Sequence, residues 1–378
     1  MIKILFVLIP VDGYGAEKSL LSNIIYLKNQ KLIKPFVVIN KNSLSLETLL
    51  IKENIKFYKI PFNCFVTNNA KGISALVKPY IKIVVNKILA FIFKIICKQQ
   101  FDLVYTNTLT TYFGLFLSRN LKTKHVLHIR EVIGEQFDFK LDFGVEKTYD
   151  KLKKGTLLFI CNSEYTKNYY SNYFTKDCLI VLPNPVTSYE QHRNRVNNTG
   201  KIKLICLGRY FEDKNQIELL KAVKVLNDRG FNNFKLDLYG SGVLENQYKQ
   251  FVSSNDLNSL VSINGYADNV SSLLGNYDIA VVPSRFEAFG RVTIEYILNG
   301  LTVIGNDSGN TKYLVEDEVS GLIYKYGNAL DLSKKIELLV ANEKLRDNLS
   351  KEAKRQIGNK FSVENSSREL YNALNKYT

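Results

Sequence analysis

The chain has 378 residues, of which 46% are hydrophobic and 23% charged, a composition typical of folded globular proteins and long enough for two domains. The formal net charge of +15 lies mainly at one end, because residues 1–100 hold 15 lysines, no arginine and four acidic residues. Five scattered cysteines exclude a disulfide scaffold and favour reduced thiols in a cytoplasmic protein. Neither a secretory leader nor an apolar run long enough to span a bilayer is recognisable.

Short apolar runs alternate with longer helical patterns along the chain. Helices are predicted over Ala16–Gln30 and Glu164–Tyr173, among others. In the first half, buried strands are predicted at Ile2–Ile9, Phe36–Asn40, Lys56–Ile60, Leu103–Asn107, His125–Ile129 and Leu157–Ile160. In the second half, they are predicted at Lys203–Leu207, Lys235–Tyr239, Val261–Asn264, Ile279–Pro283, Thr302–Gly305 and Gly321–Tyr324. This alternation predicts an α/β protein with two doubly wound parallel sheets.

A polar stretch separates the two sets of strands. Residues 1–185 are predicted to form an N-terminal domain, residues 186–200 a linker, and residues 201–360 a C-terminal domain. Apolar residues recur at helical spacing within Glu364–Tyr377, so residues 361–378 are predicted to form a helix that packs back on the N-terminal domain.

The segment Ala70–Gln100 predicts an unusual helix that contains no acidic residue. Such a basic amphipathic helix can lie on an anionic membrane surface, with its apolar face down and its lysines at the headgroups. The alternative is a domain helix whose solvated face is basic, since Phe91–Ile96 is apolar nearly all round, as in a buried helix. The lysines are Lys71, Lys78, Lys82, Lys87, Lys94 and Lys98.

Three segments carry residues suited to binding a phosphorylated ligand. Gly13–Glu17 places glycines after the first strand, where a backbone can approach a phosphate, although the spacing differs from the dinucleotide-binding G-x-G-x-x-G. Arg209 and Lys214 follow another strand and form a suitable clamp for a diphosphate. Glu287 and Glu295 are eight residues apart, and a helix opened by Gly290 would let both line one crevice and accept from sugar or ribose hydroxyls.

The segment E-A-F-G-R-V-T-I-E at 287–295 resembles the E-x7-E signature of retaining nucleotide-sugar glycosyltransferases of family-4 type. Leu207–Gln216 resembles their G-R-x4-K-N-Q segment, and Pro183–Val186 their interdomain N-P turn. Leu238–Gly242, Asn264–Tyr266 and Val315–Gly321 resemble further loops of the family in the same order. The resemblance implies the GT-B fold, in which two Rossmann-like domains face each other across a cleft.

The resemblance also implies roles for single residues. Arg209 and Lys214 would hold the donor diphosphate, Glu287 would contact the donor sugar, and Glu295 would accept from the ribose hydroxyls. His128 matches a histidine that the family keeps beside the reacting sugar. The implied catalytic residues are thus His128, Glu287, Arg209 and Lys214, and the other implied donor-binding residues are Gly13, Gly15, Gly240, Tyr266, Ala288, Phe289 and Gly290.

Residues around His128 admit simpler interpretations. A lone histidine at a strand end is often structural, and His125 points to the opposite face of the strand, so the two cannot form a metal pair. Arg130 and Glu131 either line an acceptor cleft or form an ordinary ion pair. The chain has no D-x-D, and clamping of the diphosphate by Arg209 and Lys214 is therefore expected to need no metal or other cofactor.

The function that the resemblance implies is transfer of a hexose from a nucleoside diphosphate donor, with UDP expected, to a saccharide or lipid-linked saccharide, as in bacterial surface polysaccharide and capsule assembly. A cytoplasmic protein, peripheral at the inner face of the membrane, is expected. The alternatives within the fold are a nucleotide-sugar epimerase and a sugar phosphorylase. Nucleic-acid binding, which the charge alone suggests, is disfavoured because the basic excess avoids the motif-rich half and no aromatic–basic RNA motif occurs.

Overall fold

The computed structural model describes residues 1–10, 15–67, 73–133, 140–186, 200–267 and 270–378, with the backbone alone for residues 15, 16, 67 and 73–75. These residues form two compact units. Unit 1 comprises Met1–Pro185 together with Lys360–Thr378, and unit 2 comprises Val186–Asn359. Most of the predicted linker, residues 187–199, lies outside the described residues.

Unit 1 is built on a seven-stranded sheet in which every neighbouring pair is parallel, in the order β3-β2-β1-β5-β6-β8-β9. A separate antiparallel pair is formed by β4 and β7. The strands are β1 (Ile2–Leu8), β2 (Ile33–Ile39), β3 (Lys56–Lys59), β4 (Val66–Thr67), β5 (Leu103–Thr106), β6 (Lys124–Ile129), β7 (Lys140–Leu141), β8 (Leu158–Cys161) and β9 (Leu179–Val181). The helices are α1 (Gly15–Asn29), α2 (Leu44–Lys52), α3 (Ile73–Ile96), α4 (Phe113–Leu121), α5 (Gly144–Lys153), α6 (Glu164–Tyr170) and, at the C-terminus, α14 (Val363–Asn375).

Unit 2 repeats this plan with six parallel strands in the order β12-β11-β10-β13-β14-β15. The strands are β10 (Ile202–Leu207), β11 (Phe234–Tyr239), β12 (Val261–Asn264), β13 (Ile279–Val282), β14 (Thr302–Asn306) and β15 (Leu322–Tyr324). The helices are α7 (Gln216–Asp228), α8 (Glu245–Ser254), α9 (Val270–Leu274), α10 (Arg291–Leu298), α11 (Thr311–Leu314), α12 (Ala329–Ala341) and α13 (Glu343–Ile357). Both predicted doubly wound sheets are therefore confirmed.

The sheet of unit 1 is buried on both faces, which explains why its strands read as nearly continuous apolar runs. Leu5 and Val7 of β1 belong to the core on one face, whereas Ile4, Phe6 and Leu8 belong to the core on the other. Helices α1 and α14 cover this second face, which we call the α1 face.

Every predicted strand except β2 begins and ends within one residue of its predicted position, whereas β4, β7 and β9 were not predicted. β2 begins at Ile33, three residues before the predicted start, and includes Pro35. Proline is tolerated there because β3 pairs with β2 only from Phe36 onward, so the strand has a single neighbour at Pro35. β9 is a three-residue edge strand that follows a 3-10 turn at Lys176–Cys178.

Helix α14 is fixed to unit 1 by polar as well as apolar contacts. The Ser362 side chain caps its first turn by accepting from the Asn365 N–H. Asn23 of α1 donates to Ser366 Oγ and accepts from Ser367 Oγ, at 3.1 and 3.0 Å. The apolar side of the contact is formed by Leu370 and Leu374.

Helix α3 has one buried side and one apolar side that is exposed. Ala90 and Phe93 pack into unit 1, so the interpretation of Phe91–Ile96 as a fully buried segment is wrong. Ten large apolar side chains, which we call the α3 stripe, are exposed: Leu76, Val77, Tyr80, Ile81, Val84, Ile88, Phe91, Ile92, Ile95 and Ile96.

The lysines of this segment differ in their surroundings. Lys82 donates to the buried Asp142 at 2.7 Å, whereas Lys78, Lys87 and Lys94 are exposed, and Lys71 lies outside the described residues. Among the residues that the structure describes, no helix is both long and apolar enough to cross a membrane.

We expect Leu374→Ala to destabilise unit 1 by about 3 kcal/mol, because the side chain is fully buried and its loss leaves a cavity. Chemical denaturation followed by circular dichroism measures this change. Asn372→Ala, on the exposed side of the same helix, is the matched control and should change the unfolding free energy by less than about 0.5 kcal/mol. Equal effects of the two variants would contradict the packing of α14 on unit 1.

Candidate functional site

Polar and charged residues gather at the edge of each sheet where its parallel strands end. In unit 2, the loops after β10 and β13 carry Arg209, Lys214 and Glu287. In unit 1, the loops after β5 and β6 carry the residues around Arg130 and Glu131. Ligands of doubly wound sheets bind at this edge, and each unit is described by itself below.

In unit 2, Lys214 and Glu287 form a close ion pair. Lys214 Nζ lies 2.6 Å from Glu287 Oε1 and 3.9 Å from Asp213 Oδ2. Burial lowers the pKa of Lys214, but the charges of Glu287 and Asp213 outweigh this and raise the pKa above its ordinary value. Lys214 is therefore a permanent cation that holds the Glu287 carboxylate in place.

Arg209 lies on the other side of Asp213. Its Nη2 is 3.9 Å from Asp213 Oδ2, and its guanidinium lies over the Phe211 ring, 4.9 Å from the centroid. The Asp213 carbonyl also accepts from the Arg285 N–H, which ties this turn to the loop after β13. Asp213 thus links the two cations that the sequence predicts as a clamp.

Glu295 lies in the helix that the sequence predicts to open at Gly290. Gly290 caps α10 with φ of 80°, a conformation that favours glycine, and Glu287 lies in the preceding loop. Arg291 Nε donates to Glu295 Oε1 at 2.9 Å across one helical turn, so the Glu295 carboxylate is also held by a cation.

The other predicted donor-binding positions of unit 2 lie in neighbouring loops. A Cβ at Gly240 would meet Gly208 O at 2.0 Å, so this glycine is required by the close approach of two loops. Its N–H donates to Gly265 O, which places the exposed Tyr266 beside the Gly240 loop. Ala288 and Phe289 are buried between Glu287 and Gly290.

Two positioning residues of unit 2 were not predicted. The buried Gln216 donates from Nε2 to Gly208 O and Arg209 O at 3.3 and 3.0 Å. The buried Asn310 donates from its N–H to Glu287 O and from Nδ2 to Phe289 O, both at 2.7 Å. Both amides shape the loops that carry the charged residues. Gln216 stands in the G-R-x4-K-N-Q segment, which could have signalled it, whereas Asn310 lies outside the motifs quoted above.

His128 of unit 1 is buried at the end of β6. Its Nδ1 is 2.5 Å from the Tyr105 hydroxyl, and its Nε2 has no hydrogen-bond partner among the residues that the structure describes. Burial and the charge of Arg130 lower the pKa of His128 well below its ordinary value, so the imidazole is neutral at pH 7.

Arg130 and Glu131 follow directly and connect several loops. Arg130 Nε donates to Asn107 Oδ1 at 2.8 Å, and Nη1 donates to Asn184 of the Pro183–Pro185 turn. Glu131 accepts from the Thr108 hydroxyl and, at 3.0 Å, from the Arg130 N–H. Burial raises the pKa of Glu131, which these hydrogen bonds partly offset.

Glu17, in the first turn of α1, belongs to the same group of charges although it was not predicted as a site residue. Burial raises its pKa to about 7, with Arg130 and Lys41 acting against the shift and Glu131 adding to it. Oε2 of Glu17 is buried and lacks a hydrogen-bond partner in the described part of the chain.

Two predicted donor-binding residues, Gly13 and Gly15, remain. Gly15 is the first residue of α1, and Gly13 lies outside the described residues. Within the described ranges, no group of three or more His, Cys, Asp or Glu residues is placed to hold a metal ion.

Part of the chain is similar to a known family and to curated proteins. Residues 188–356 match the family model for glycosyl transferases group 1. An uncharacterized glycosyltransferase of Methanocaldococcus jannaschii is 31% identical over 206 residues, which are 54% of this chain and 55% of that protein. The capsular polysaccharide biosynthesis glycosyltransferase CapM of Staphylococcus aureus is 30% identical over 193 residues, 50% of this chain and 49% of CapM. The chain thus spans about half the length of these curated relatives.

A solved structure shows the same fold over nearly the whole chain. HepE of Anabaena, in complex with UDP, superposes with a TM-score of 0.78 at 18% identity and covers 99% of this chain and 100% of HepE. The two doubly wound units are those of the GT-B fold.

We expect Glu17→Gln to stabilise the protein above pH 7 by about 2 to 3 kcal/mol. A pKa raised to about 7 means that the folded state holds the proton more tightly than the unfolded chain, so wild-type stability falls as the pH rises from about 4.5 through 7. Glutamine cannot ionise and avoids this loss.

Unfolding free energies at pH 5 and pH 8 measure the effect, and the advantage of Glu17→Gln should shrink strongly at pH 5. Glu369→Gln, an exposed glutamate of unit 1, is the control and should show no such pH dependence. A variant less stable than wild type at pH 8 would contradict the raised pKa of Glu17.

Proposed function

We propose that the chain is a glycosyltransferase, because residues 188–356 match the family model for glycosyl transferases group 1. It transfers a sugar from a nucleoside diphosphate donor, which we take to be UDP-linked, to a hydroxyl of a saccharide acceptor. HepE was solved with UDP, and CapM is named for capsular polysaccharide biosynthesis. These two similarities favour a UDP donor and an acceptor used in surface polysaccharide assembly.

The observation that carries the proposal is the Lys214–Glu287 ion pair beside Arg209 at the edge of unit 2. Phosphate oxygens need fixed cations, and sugar hydroxyls need a fixed acceptor such as a carboxylate. The pair presents a cation and a carboxylate whose atoms are 2.6 Å apart. Each side chain orients the other before a ligand arrives. Glu295 lies in α10 and accepts from Arg291 of the same helix. It supplies a second carboxylate, which we assign to the ribose hydroxyls.

We propose that the reaction retains the configuration of the transferred sugar. Neither Glu287 nor Glu295 is assigned as a nucleophile, so departure of the diphosphate and attack by the acceptor occur on the same face of the sugar. The negative charge that develops on the diphosphate is stabilised by Arg209 and Lys214, and a diphosphate oxygen takes the acceptor proton. The two side chains carry out this step without a metal or other cofactor.

The acceptor is assigned to the polar cluster of unit 1, which contains His128, Arg130 and Glu131. His128 Nε2 and Glu17 Oε2 are buried and lack partners among the described residues, which is expected of groups that bind a ligand. At pH 7 the His128 imidazole is neutral, and the Glu17 carboxyl, with a pKa of about 7, is only partly ionised. A hydroxyl-bearing saccharide therefore fits these two groups better than a strongly charged ligand does.

We further propose that the α3 stripe docks on the anionic cytoplasmic face of a membrane, which favours a lipid-linked acceptor. The stripe exposes ten large apolar side chains on one helix, and Lys78, Lys87 and Lys94 are exposed along the same helix without any acidic residue. This combination of apolar area and uncompensated positive charge matches an anionic lipid surface better than a second, equally basic copy of this chain.

We expect UDP to raise the melting temperature of the wild type, since a ligand that binds only the folded state stabilises it. Arg209→Ala should weaken UDP binding by about 10- to 100-fold, because a charge-assisted contact to phosphate is lost. Arg229→Ala, an exposed arginine of unit 2 that pairs with Glu337, is the control and should bind UDP as the wild type does. Failure of the wild type to bind UDP, GDP or any of their sugars would overturn the proposed function.

The role of Glu295 is tested by comparing UDP with 2′-deoxy-UDP in the same assay. Wild type should prefer UDP, whereas Glu295→Ala should bind both about equally, because the carboxylate that accepts from the ribose is gone. An unchanged preference in Glu295→Ala would remove Glu295 from the donor site.

We expect the protein to bind vesicles of phosphatidylcholine and phosphatidylglycerol, and to bind pure phosphatidylcholine more weakly. Reversal of Lys78, Lys87 and Lys94 to Glu should lower affinity for the mixed vesicles by about 100-fold or more, at about 1 kcal/mol per lysine near the surface. Co-sedimentation measures this. The control reverses three exposed lysines of α13, Lys344, Lys351 and Lys354, which is the same change in net charge.

Equal losses in the two triple variants would mean that net charge alone, and not the α3 stripe, determines binding. A further variant with Ile81, Ile88 and Ile95 changed to Gln keeps all lysines and should also lose binding, because it removes apolar area from the stripe. Retained binding in that variant would exclude insertion of the stripe into the lipid.

A further inference from the structure

The two buried histidines of β6 differ in how their ring nitrogens are satisfied. His125 has a partner at both: Nε2 is 2.8 Å from Thr106 Oγ1, and Nδ1 is 2.9 Å from Thr156 Oγ1. His128 has a single hydrogen-bond partner, the Tyr105 hydroxyl at Nδ1. Its buried Nε2 has no partner within the described part of the chain. Burial of a polar atom without a partner is unfavourable, so the difference between the two rings needs an explanation.

The Tyr105–His128 contact determines which ring nitrogen carries the proton. If Tyr105 donates to Nδ1, the neutral ring is protonated at Nε2, and a single group, Nε2–H, is left unpaired. If Nδ1–H donates to Tyr105 instead, both the Nε2 lone pair and the Tyr105 hydroxyl proton are unpaired, since the described residues offer that hydroxyl no other acceptor. The first arrangement leaves fewer unsatisfied groups and is therefore the more stable one.

The electrostatics keep both groups neutral, as either arrangement requires. Burial raises the pKa of Tyr105 far above its ordinary value and lowers that of His128, so the hydroxyl keeps its proton and the imidazole is neutral. Arg130, which acts on both groups, adds positive potential and disfavours an imidazolium. The ring thus offers a hydrogen-bond donor at Nε2 without adding a charge.

We propose that Tyr105 is a positioning residue that holds His128 in the Nε2–H tautomer, so that Nε2–H donates to a hydroxyl oxygen of the saccharide bound by unit 1. Tyr105 lies on β5 and His128 on β6, adjacent parallel strands, where Tyr105 pairs with Val126. Val126 and Tyr105 belong to the α1 face, and α1 carries Glu17 in its first turn. The hydroxyls of a saccharide both donate and accept, so the ligand can accept from His128 Nε2–H and donate to Glu17 Oε2.

The inference rests on the proposed function for the identity of the ligand, but the tautomer can be measured without any ligand. The chain has three histidines, so long-range ¹H–¹⁵N NMR of the imidazoles resolves each ring. In the wild type at pH 7, His128 is expected to be protonated at Nε2 alone. In Tyr105→Phe, which keeps the packing of the ring on Phe6, the population protonated at Nδ1 should rise because the donor to Nδ1 is lost.

The consequence for the substrate is tested by turnover of UDP-glucose and UDP-N-acetylglucosamine, measured as release of UDP, alongside binding of UDP itself. Tyr105→Phe should lower kcat/KM by about tenfold and leave the affinity for UDP unchanged, because UDP is bound by residues of unit 2. Tyr112→Phe is the matched control: its hydroxyl is equally buried in unit 1 and donates to Thr148 at 2.9 Å, away from His128. It should lose similar stability but keep kcat/KM.

The outcomes separate the two levels of the proposal. A wild-type His128 protonated at Nδ1 would overturn the inference, as would a loss of turnover in Tyr105→Phe no larger than in Tyr112→Phe. Absence of UDP binding to the wild type would instead contradict the proposed function, and the NMR measurement would still decide the tautomer. The Nε2–H tautomer, together with a selective loss of turnover in Tyr105→Phe, would support the inference.

Discussion

All strands of the two large sheets run parallel. This single constraint determines where the charged and polar residues of the candidate sites lie. Because parallel strands end at one edge, residues far apart in sequence meet there without any direct connection. Lys214 follows β10 and Glu287 follows β13, its neighbour in the sheet, which is why residues 73 positions apart form a 2.6 Å ion pair. In unit 1, Arg130 after β6 reaches Asn107 after β5 in the same way.

The two edges differ in how the groups that we propose to bind ligands are held. In unit 2 the carboxylates of Glu287 and Glu295 are each held by a cation of the same unit, so their geometry is set before a ligand arrives. In unit 1, Glu17 and His128 each keep a buried atom without a partner in the described part of the chain. Unsatisfied groups of this kind reduce stability, and they are retained where a ligand completes them. Unit 2 also contains such atoms, Glu218 Oε1 and Thr293 Oγ1, so the contrast concerns only the proposed ligand-binding groups. For these groups it favours the proposal of a rigid clamp in unit 2 and of a site completed by its ligand in unit 1.

Much of this fold was predictable because a parallel sheet buried on both faces leaves long apolar runs in the sequence. The predicted extents failed where local chemistry opposed the pattern, as at Pro35 in β2, or where the element was too short, as in β9. That Lys214 and Glu287 meet in unit 2 was predictable because each follows a parallel strand, and parallel strands end at one edge of the sheet. Asn310 and Glu17 were missed, since their importance comes from contacts made only once the loops are folded.

The same limit applies to α3, where the sequence pattern admitted both a buried and an exposed apolar helix. The sequence of a helix shows which residues lie on the same side of it. Which of these sides is buried depends on the neighbouring elements of the folded protein. Unit 1 covers only the side with Ala90 and Phe93, and Lys82 is withdrawn from the surface by Asp142. The exposed Lys78, Lys87 and Lys94 lie along a helix with no acidic residue, so the apolar stripe has uncompensated positive charge on the same helix. An anionic lipid surface would both bury the apolar stripe and neutralise the lysines beside it. A second copy of this basic unit would bury the stripe but add positive charge, and water would leave the stripe exposed.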